Sequence, residues 1–265
     1  MPSRKTISVN SISRDKKGYF VIKAGSYSFS LSEDAFTNFY LREGKELTEA
    51  EITSLKEESA LSSLRDYAVS SLARKQYSKR EMKEKLLRKN PNEKAVFAVI
   101  QSLERYGLLD DESYAKDYKE ERENALYGKK RILEELQFKK GISPRILGNL
   151  VFQHEIENAK KYASSLSRSL LSYPYLSRME KTKNALSRRG FEKDAIDFAL
   201  CVLNEKDDER VQNRLYVDAS TAYARYARKY NNEYELFSHL WSFLVKKGYR
   251  SEDVLTVVER IKHEH

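Results

Sequence analysis

Ser78-Lys79-Arg80-Glu81-Met82-Lys83-Glu84-Lys85-Leu86-Leu87-Arg88-Lys89-Asn90 spells out a short helix and its stop signal. Ser78 and Glu81 have capping-box spacing: the hydroxyl accepts from a first-turn N–H and the carboxylate reaches back to the N-cap. Leu86 stands four residues before Asn90, and asparagine, like glycine, commonly follows the end of a helix. The positions 6, 9, 10 and 13 residues beyond Asn90 hold Val96, Val99, Ile100 and Leu103, the spacing of one helical face.

The same register returns three times. Gly141 is followed at those offsets by Leu147, Leu150, Val151 and His154, Gly190 by Ile196, Ala199, Leu200 and Leu203, and Gly248 by Val254, Val257, Val258 and Ile261. Leu186 and Leu244 repeat the leucine of Leu86, whereas the second unit has Gln137 there and Leu136 displaced by one, so an extra residue precedes Gly141. Ser177 and Glu180 repeat the capping-box spacing. Each unit reads as a long helix, a short capped helix, an anchor turn and a third helix. Such a unit buries its apolar face only against its neighbours, so tandem copies predict an array. The expected fold is mainly α, an elongated, curved array of about four three-helix repeats. Its predicted segments are residues 60–109, 110–154, 155–204 and 205–265.

Residues 1–59 read differently. Thr6-Ile7-Ser8-Val9 and Tyr27-Ser28-Phe29-Ser30-Leu31 alternate, Tyr19-Phe20-Val21-Ile22 is β-prone, and Asp15-Lys16-Lys17-Gly18 is a turn signal. They predict a small antiparallel meander of two or three strands, too small to stand without a helix against it. One helix is expected after Ser32, with Glu33 and Asp34 in its first turn. Another is expected after Thr48, where Thr48 and Glu51 have capping-box spacing.

Composition sets bounds on function. Of 265 residues, 34% are charged and 40% hydrophobic, with 9 Gly and 4 Pro, which favours helices with wide solvated faces. No run of about 20 apolar residues is present, and Met1-Pro2-Ser3-Arg4-Lys5 lacks a signal peptide's apolar core; a cytoplasmic protein with no membrane contact is expected. A single cysteine, Cys201, and four histidines leave little for disulfide, zinc or nucleophilic chemistry. Phosphate-binding loops, dinucleotide fingerprints, zinc-protease helices and nucleophile elbows are missing as motifs, so no enzyme activity, cofactor or metal is expected. The net charge of +9 is concentrated, with residues 60–109 carrying +6 and residues 155–204 carrying +3. Such blocks attract phosphate backbones or acidic protein surfaces.

Leu72-Ala73-Arg74-Lys75-Gln76-Tyr77-Ser78, running on through Glu81-Met82 and Lys85-Leu86, resembles the opening of the first repeat of the RecX family. Gly107-Leu108-Leu109-Asp110-Asp111 with Tyr114-Ala115 matches that family's most recognisable string, with Arg122 at the expected distance. Gly128, Arg131-Ile132, Glu135-Leu136 and Lys140-Gly141-Ile142 follow its second repeat in order. The N-terminal meander fits the longer members of Gram-positive bacteria. Met82 stands for the usual Leu, Asn90-Pro91 for the usual Gly and hydrophobe, and the extra residue before Gly141 is a further departure. The resemblance implies arrays of three-helix units that bind the RecA nucleoprotein filament along its groove. It also implies reduced ATP hydrolysis, strand exchange and coprotease activity, in homologous recombination, DNA repair and the SOS response. A monomer contacting the RecA filament, and single-stranded DNA directly or through it, is the partner set this implies. An autonomous single-stranded nucleic-acid-binding repeat protein is the alternative, and a plain helical scaffold a third.

Candidate contact residues lie in two places. Arg74, Lys75, Arg80, Lys85 and Arg88 belong to the basic block, where Glu81–Lys85 and Glu84–Arg88 also have the spacing of helix-supporting pairs. Lys129, Lys130 and Arg131 open a helix after Gly128, where cations oppose the dipole and an anion is favoured. Asp110 or Asp111 is expected to cap the next helix rather than hold a metal. The stripe Tyr216, Ala219, Tyr223, Tyr226, Ala227 and Tyr230 is expected to pack as core, with a stacking platform for bases as the other reading. His154, at an apolar register position, is expected to be packed.

Overall fold

The computed structural model describes residues 6–201, 203 and 209–264. Two compact units partition the chain, one of residues 1–115 with 138–146 and one of residues 116–137 with 147–265.

In the first unit, β1 (Ile7–Arg14), β2 (Phe20–Ala24), β3 (Tyr27–Leu31) and the two-residue β4 (Glu46–Leu47) form an antiparallel sheet in the order β3-β2-β1-β4. The fourth strand escapes sequence reading because two residues show no period. α1 (Glu33–Asn38) is capped by Ser32, whose hydroxyl accepts from the Ala35 N–H, and α2 (Glu49–Leu72) opens with the complete Thr48–Glu51 capping box. The helix the meander needs is α2. Ile52 and Leu55 near its start bury against Val9, Ile22, Phe29, Leu31 and Leu47 of the sheet. Further along the same helix, Leu64 and Ala68 enter a different core. Each apolar side chain so covered contributes about 1.5–3 kcal/mol.

Tyr19 ties the turn after β1 to α2, its hydroxyl donating to the Asp66 carboxylate at 2.6 Å. Burial, and then that bond to Asp66, push the phenol from its ordinary 10 up to about 12. Folding therefore holds a proton that the unfolded chain releases near pH 10, so the contribution is whole below that pH and lost as pH rises toward 12. The stability of Tyr19→Phe, followed by urea unfolding across this window, is expected to fall less steeply than wild type. Equal slopes would remove Tyr19 from the linkage.

The second core lies under α2, α3 (Lys79–Lys89) and α4 (Glu93–Arg105). Met82, Leu86, Val96, Val99, Ile100 and Leu103 are all buried in it, as their register requires. After α4, Gly107 turns at φ 66° and buries Leu109. Asp110 then caps α5 (Asp111–Asn124) by accepting from the Glu112 and Ser113 N–H groups. Asp111 accepts instead from the Lys79 N–H and so covers the start of α3. The two carboxylates serve two different helices.

The second repeat carries its extra residue as a π-helical turn, Glu135–Lys139, directly after α6 (Lys129–Glu134). One turn of wider i→i+5 bonding accommodates the insertion, and Leu136 stays buried. This repeat's third helix departs from expectation. α7 (Pro144–Gly148) stops at Gly148-Asn149, both poor helix continuers. Val151 is therefore exposed, and His154 is exposed at the N-cap of α8 (Glu155–Leu170) rather than packed.

In the second unit, α8, α9 (Tyr175–Arg189) and α10 (Lys193–Leu200) form one three-helix group around Ala159, Leu186, Ile196 and Ala199. α11 (Glu209–Ala227), α12 (Glu233–Lys246) and α13 (Ser251–Glu264) form another around Leu215, Leu240, Leu244, Val254 and Ile261. The capping box expected at Ser177 does not form. Pro174, with its fixed φ, starts α9 earlier, and Ser177 lies inside its first turn.

Three anchor turns dock in one manner. Gly141, Gly190 and Gly248 have φ of 71°, 82° and 96°. A Cβ on Gly141 would overlap the Arg80 side chain, on Gly190 it would overlap Arg131, and on Gly248 it would overlap Ser177. In each case the carbonyl just before the glycine accepts a bond from the start of the preceding repeat's second helix. The donors are Ser78 Oγ to Lys140 O at 2.7 Å, Gly128 N to Arg189 O at 2.9 Å and Ser177 Oγ to Lys247 O at 2.9 Å. Asn90 is the anchor turn of the first repeat, which has no earlier repeat to meet. Its φ of −143° needs no glycine, which accounts for the Asn90-Pro91 departure.

Candidate functional site

The basic block divides by what each cation touches. Ser78 and Glu81 form the expected capping box, which turns the Glu81 carboxylate back toward the N-terminus of α3. There it meets Lys140 Nζ at 2.6 Å and the Tyr114 hydroxyl at 3.1 Å, so the expected Glu81–Lys85 pair is not made. Burial pushes that carboxyl up, but the Lys140 ammonium and the Ser78 N–H outweigh it and hold Glu81 below the usual carboxylate range. Burial dominates at Asp111 and pushes its carboxyl up, against the bond from the Lys79 N–H. Glu84 pairs with Arg80 at 3.0 Å instead of Arg88.

Arg80 is more than an outward cation. Its stem lies against Gly141 and its Nη1 donates to the Phe138 carbonyl at 3.1 Å, so it clamps the first junction. Arg74 donates to the Ser70 carbonyl at 3.1 Å and remains exposed. Lys75, just before α3, is exposed and sits 4.4 Å from the Tyr77 ring centroid. Lys85 is half-buried, with its ammonium 5.3 Å from Tyr77 and 5.4 Å from Tyr67. Lys89, one turn on, is 5.9 Å from Tyr67, and Arg88 is exposed. The basic segment ending at Lys89 was legible in sequence, but Tyr67 and Tyr77 were not read as part of it. Their signal was the i,i+4 spacing of Lys85 and Lys89, with a tyrosine on either side of the helix turn that precedes them.

The second candidate place is already filled from within the chain. The Lys129 N–H donates to Glu155 Oε1 at 3.2 Å, the Lys130 N–H to the Gly190 carbonyl at 3.0 Å, and Glu155 also accepts from the Glu192 N–H at 3.1 Å. Glu155 thus supplies the anion that the start of α6 favours. Lys129 Nζ pairs with Glu192 at 3.2 Å. Arg131 lies 4.9 Å from the Tyr127 ring, pairs with Glu135 and donates to the Arg188 carbonyl at 3.0 Å. Lys130 is the exposed side chain of the three.

The tyrosine stripe of α11 and the turn after it is packed, not presented. Tyr216, Tyr223, Tyr226 and Tyr230 are half-buried, and Tyr223 and Tyr226 meet Phe237 and Phe243 of α12 while Tyr230 stacks on His239 at 4.5 Å. Among the described residues, no helix is long and apolar enough to cross a membrane.

No family model matches the chain. Over 255 residues it is 26% identical to regulatory protein RecX of Streptococcus gordonii, covering 94% of this chain and 98% of that protein. Regulatory protein RecX of Bacillus cytotoxicus is 24% identical over 233 residues, 86% of each chain. The fold is shared with a crystal structure of regulatory protein RecX at a TM-score of 0.63 and 24% identity, over 73% of this chain and 98% of that one. RecX from Lactobacillus salivarius matches at a TM-score of 0.50 and 24% identity, over 54% and 96%. The alignment runs nearly end to end against relatives of matching length and the repeat fold is shared, so this chain is similar along its whole length to regulatory protein RecX.

Proposed function

We propose that this chain is a non-enzymatic regulator that binds the RecA–DNA filament as a cytoplasmic monomer and inhibits its ATP hydrolysis, strand exchange and coprotease activity. The observation that carries this reading is the near end-to-end similarity to proteins named regulatory protein RecX. Arg74, Lys75, Arg80, Lys85 and Arg88, with Lys129, Lys130 and Arg131, are the proposed contact residues. The exposed members Arg74, Lys75, Arg88 and Lys130 are the first to test, since the junction duties of Arg80 and Arg131 confound their substitution.

Order of addition decides it. With purified recombinase on single-stranded DNA, this protein is expected to suppress ATP hydrolysis at amounts well below those that coat free DNA, whether added before or after filament assembly. Alone it is expected to hydrolyse no ATP. Inhibition that tracks DNA coverage would instead support the autonomous nucleic-acid-binding reading, and hydrolysis by the isolated protein would end the non-enzymatic one.

A further inference from the structure

We infer that Tyr127 is a phosphorylation site for a protein-tyrosine kinase, with Arg122, Arg131 and Arg189 cradling the phosphate that the modification adds. This goes beyond the regulator reading, which gives Tyr127 no role. Tyr127 is half-buried and ends the turn that leads from α5 into α6. Three guanidinium groups surround its ring, Arg189 at 4.6 Å from the centroid, Arg131 at 4.9 Å and Arg122 at 5.0 Å. All four residues belong to the second compact unit. Among the described residues the Tyr127 hydroxyl has no hydrogen-bond partner, whereas that of Tyr118 donates to Glu135. The three arginines face a single carboxylate. Glu135 pairs with Arg122 at 2.9 Å and with Arg131 at 3.4 Å, while Arg189 pairs with none among the described residues and donates instead to the carbonyls of Ala125 and Leu126, at 2.6 and 3.3 Å.

Three cations against one carboxylate leave an excess of two positive charges beside an unpaired hydroxyl. A phosphate on tyrosine carries about −1.5 to −2 at neutral pH, which cancels that excess. Donors for it are to hand. Arg122 uses Nε on the Tyr118 hydroxyl and Nη2 on Glu135, Arg131 uses Nε and Nη1, and Arg189 uses Nη1 alone. The remaining N–H groups have no acceptor among the described residues, and planar guanidinium forks suit phosphate oxygens. Tyr118 offers no such place, because a phosphate there would meet Glu135. Leu126, next to Tyr127, has φ of 57°, a left-handed value that leucine rarely adopts. That strain lowers the cost of opening the turn, which a kinase must do to draw the hydroxyl into its own site. The transfer balances with Mg–ATP as donor. Tyr127 Oη bonds to the γ-phosphorus, the bond from that phosphorus to the β,γ-bridging oxygen breaks, ADP leaves, and the phenol proton passes to the kinase's base. Once attached, the phosphate ties Arg131 of α6 to Arg189 at the end of α9, adding bonds across the junction of the second and third repeats.

The test uses the full chain, Mg–ATP and a purified broad-specificity tyrosine kinase, at a dose that fully converts a synthetic peptide of residues 120–134. Peptide mapping is expected to place phosphate on Tyr127 of the folded protein, and Tyr127→Phe is expected to lose it. Phosphorus NMR against pH then reads the cradle. In the folded phosphoprotein the phosphate is expected to lose its last proton about one pH unit below the value of about 6 seen for the phosphorylated peptide. Arg189→Gln should remove at least half of that difference, and Arg189→Lys should keep more of it. If Arg189→Gln does not fold, the wild-type phosphoprotein against the phosphopeptide decides alone. A phosphate that titrates alike in protein and peptide overturns the cradle. A Tyr127 left bare at that dose overturns the site, and so does phosphate found only on Tyr40 or Tyr234, which are 84% and 82% exposed.

Discussion

Gly128→Ala and Gly190→Ala are each expected to lose about 2–4 kcal/mol of stability, although only one of the two glycines has an unusual backbone. Gly190 has φ of 82°, and a Cβ there would also overlap Arg131 backbone and side chain. Gly128 has an ordinary φ of −83°, but its Cβ would run into the backbone of Gly190 and Phe191. Neither neighbour is the far end of a flexible side chain, so relief requires the junction to open and its two backbone bonds, Gly128 N to Arg189 O at 2.9 Å and Lys130 N to Gly190 O at 3.0 Å, to lengthen. Two other glycines separate the causes. Gly107 has φ of 66° with open space around it, so Gly107→Ala should cost only the left-handed strain, about 1 kcal/mol. Gly148 has neither positive φ nor a neighbour within 4 Å, and Gly148→Ala should stay within about 0.5 kcal/mol of wild type. Urea unfolding followed by circular dichroism ranks the four. If Gly128→Ala behaves like Gly148→Ala, the junction is not close-packed as described.

Glu135→Ala is expected to cost about 3 kcal/mol, the low end for opening a buried ion pair. The Glu135 side chain is only 5% exposed at the start of the π-helical turn, and it accepts from Tyr118 at 2.7 Å and pairs with Arg122 at 2.9 Å and Arg131 at 3.4 Å. Removing the carboxylate leaves two guanidinium groups facing each other without it. Both retain solvent access, at 29% and 41% exposure, and that keeps the figure from the top of the range. Tyr118→Phe, which deletes one hydroxyl from the same cluster, should cost about 1 kcal/mol. A Glu135→Ala variant as stable as wild type would show that solvent compensates the arginines and that the cluster contributes little.

The repeat register, most capping boxes, the N-terminal meander and the likeness to regulatory protein RecX were all legible in the chain. They rest on local rules. A helical face recurs every three to four residues, a cap needs its partner three residues on, and Gly107-Leu108-Leu109-Asp110-Asp111 carries turn, core and cap chemistry in five consecutive residues. Even the insertion in the second repeat could be counted between Leu136 and Gly141, though not its solution as a π-helical turn.

Partnerships between distant residues were not legible. Arg80, Lys85 and Arg88 look alike on a helical wheel, yet Arg80 clamps a carbonyl 58 residues away and Lys85 lies over tyrosines of α2 and the following loop. The start of α6 reads as an open anion site, and a carboxylate 26 residues on closes it. A wheel gives direction from one axis and says nothing of what stands opposite. Which charges stay free for a ligand depends on which ones the fold consumes. The sequence by itself determined the repeats, their turns and where positive charge gathers, because those follow from spacing along one strand of backbone. Only tertiary structure decided that Glu81 belongs to Lys140, Glu155 to the Lys129 and Glu192 amides, and three lysines to two tyrosine rings, because electrostatic and packing energies depend on distances through space.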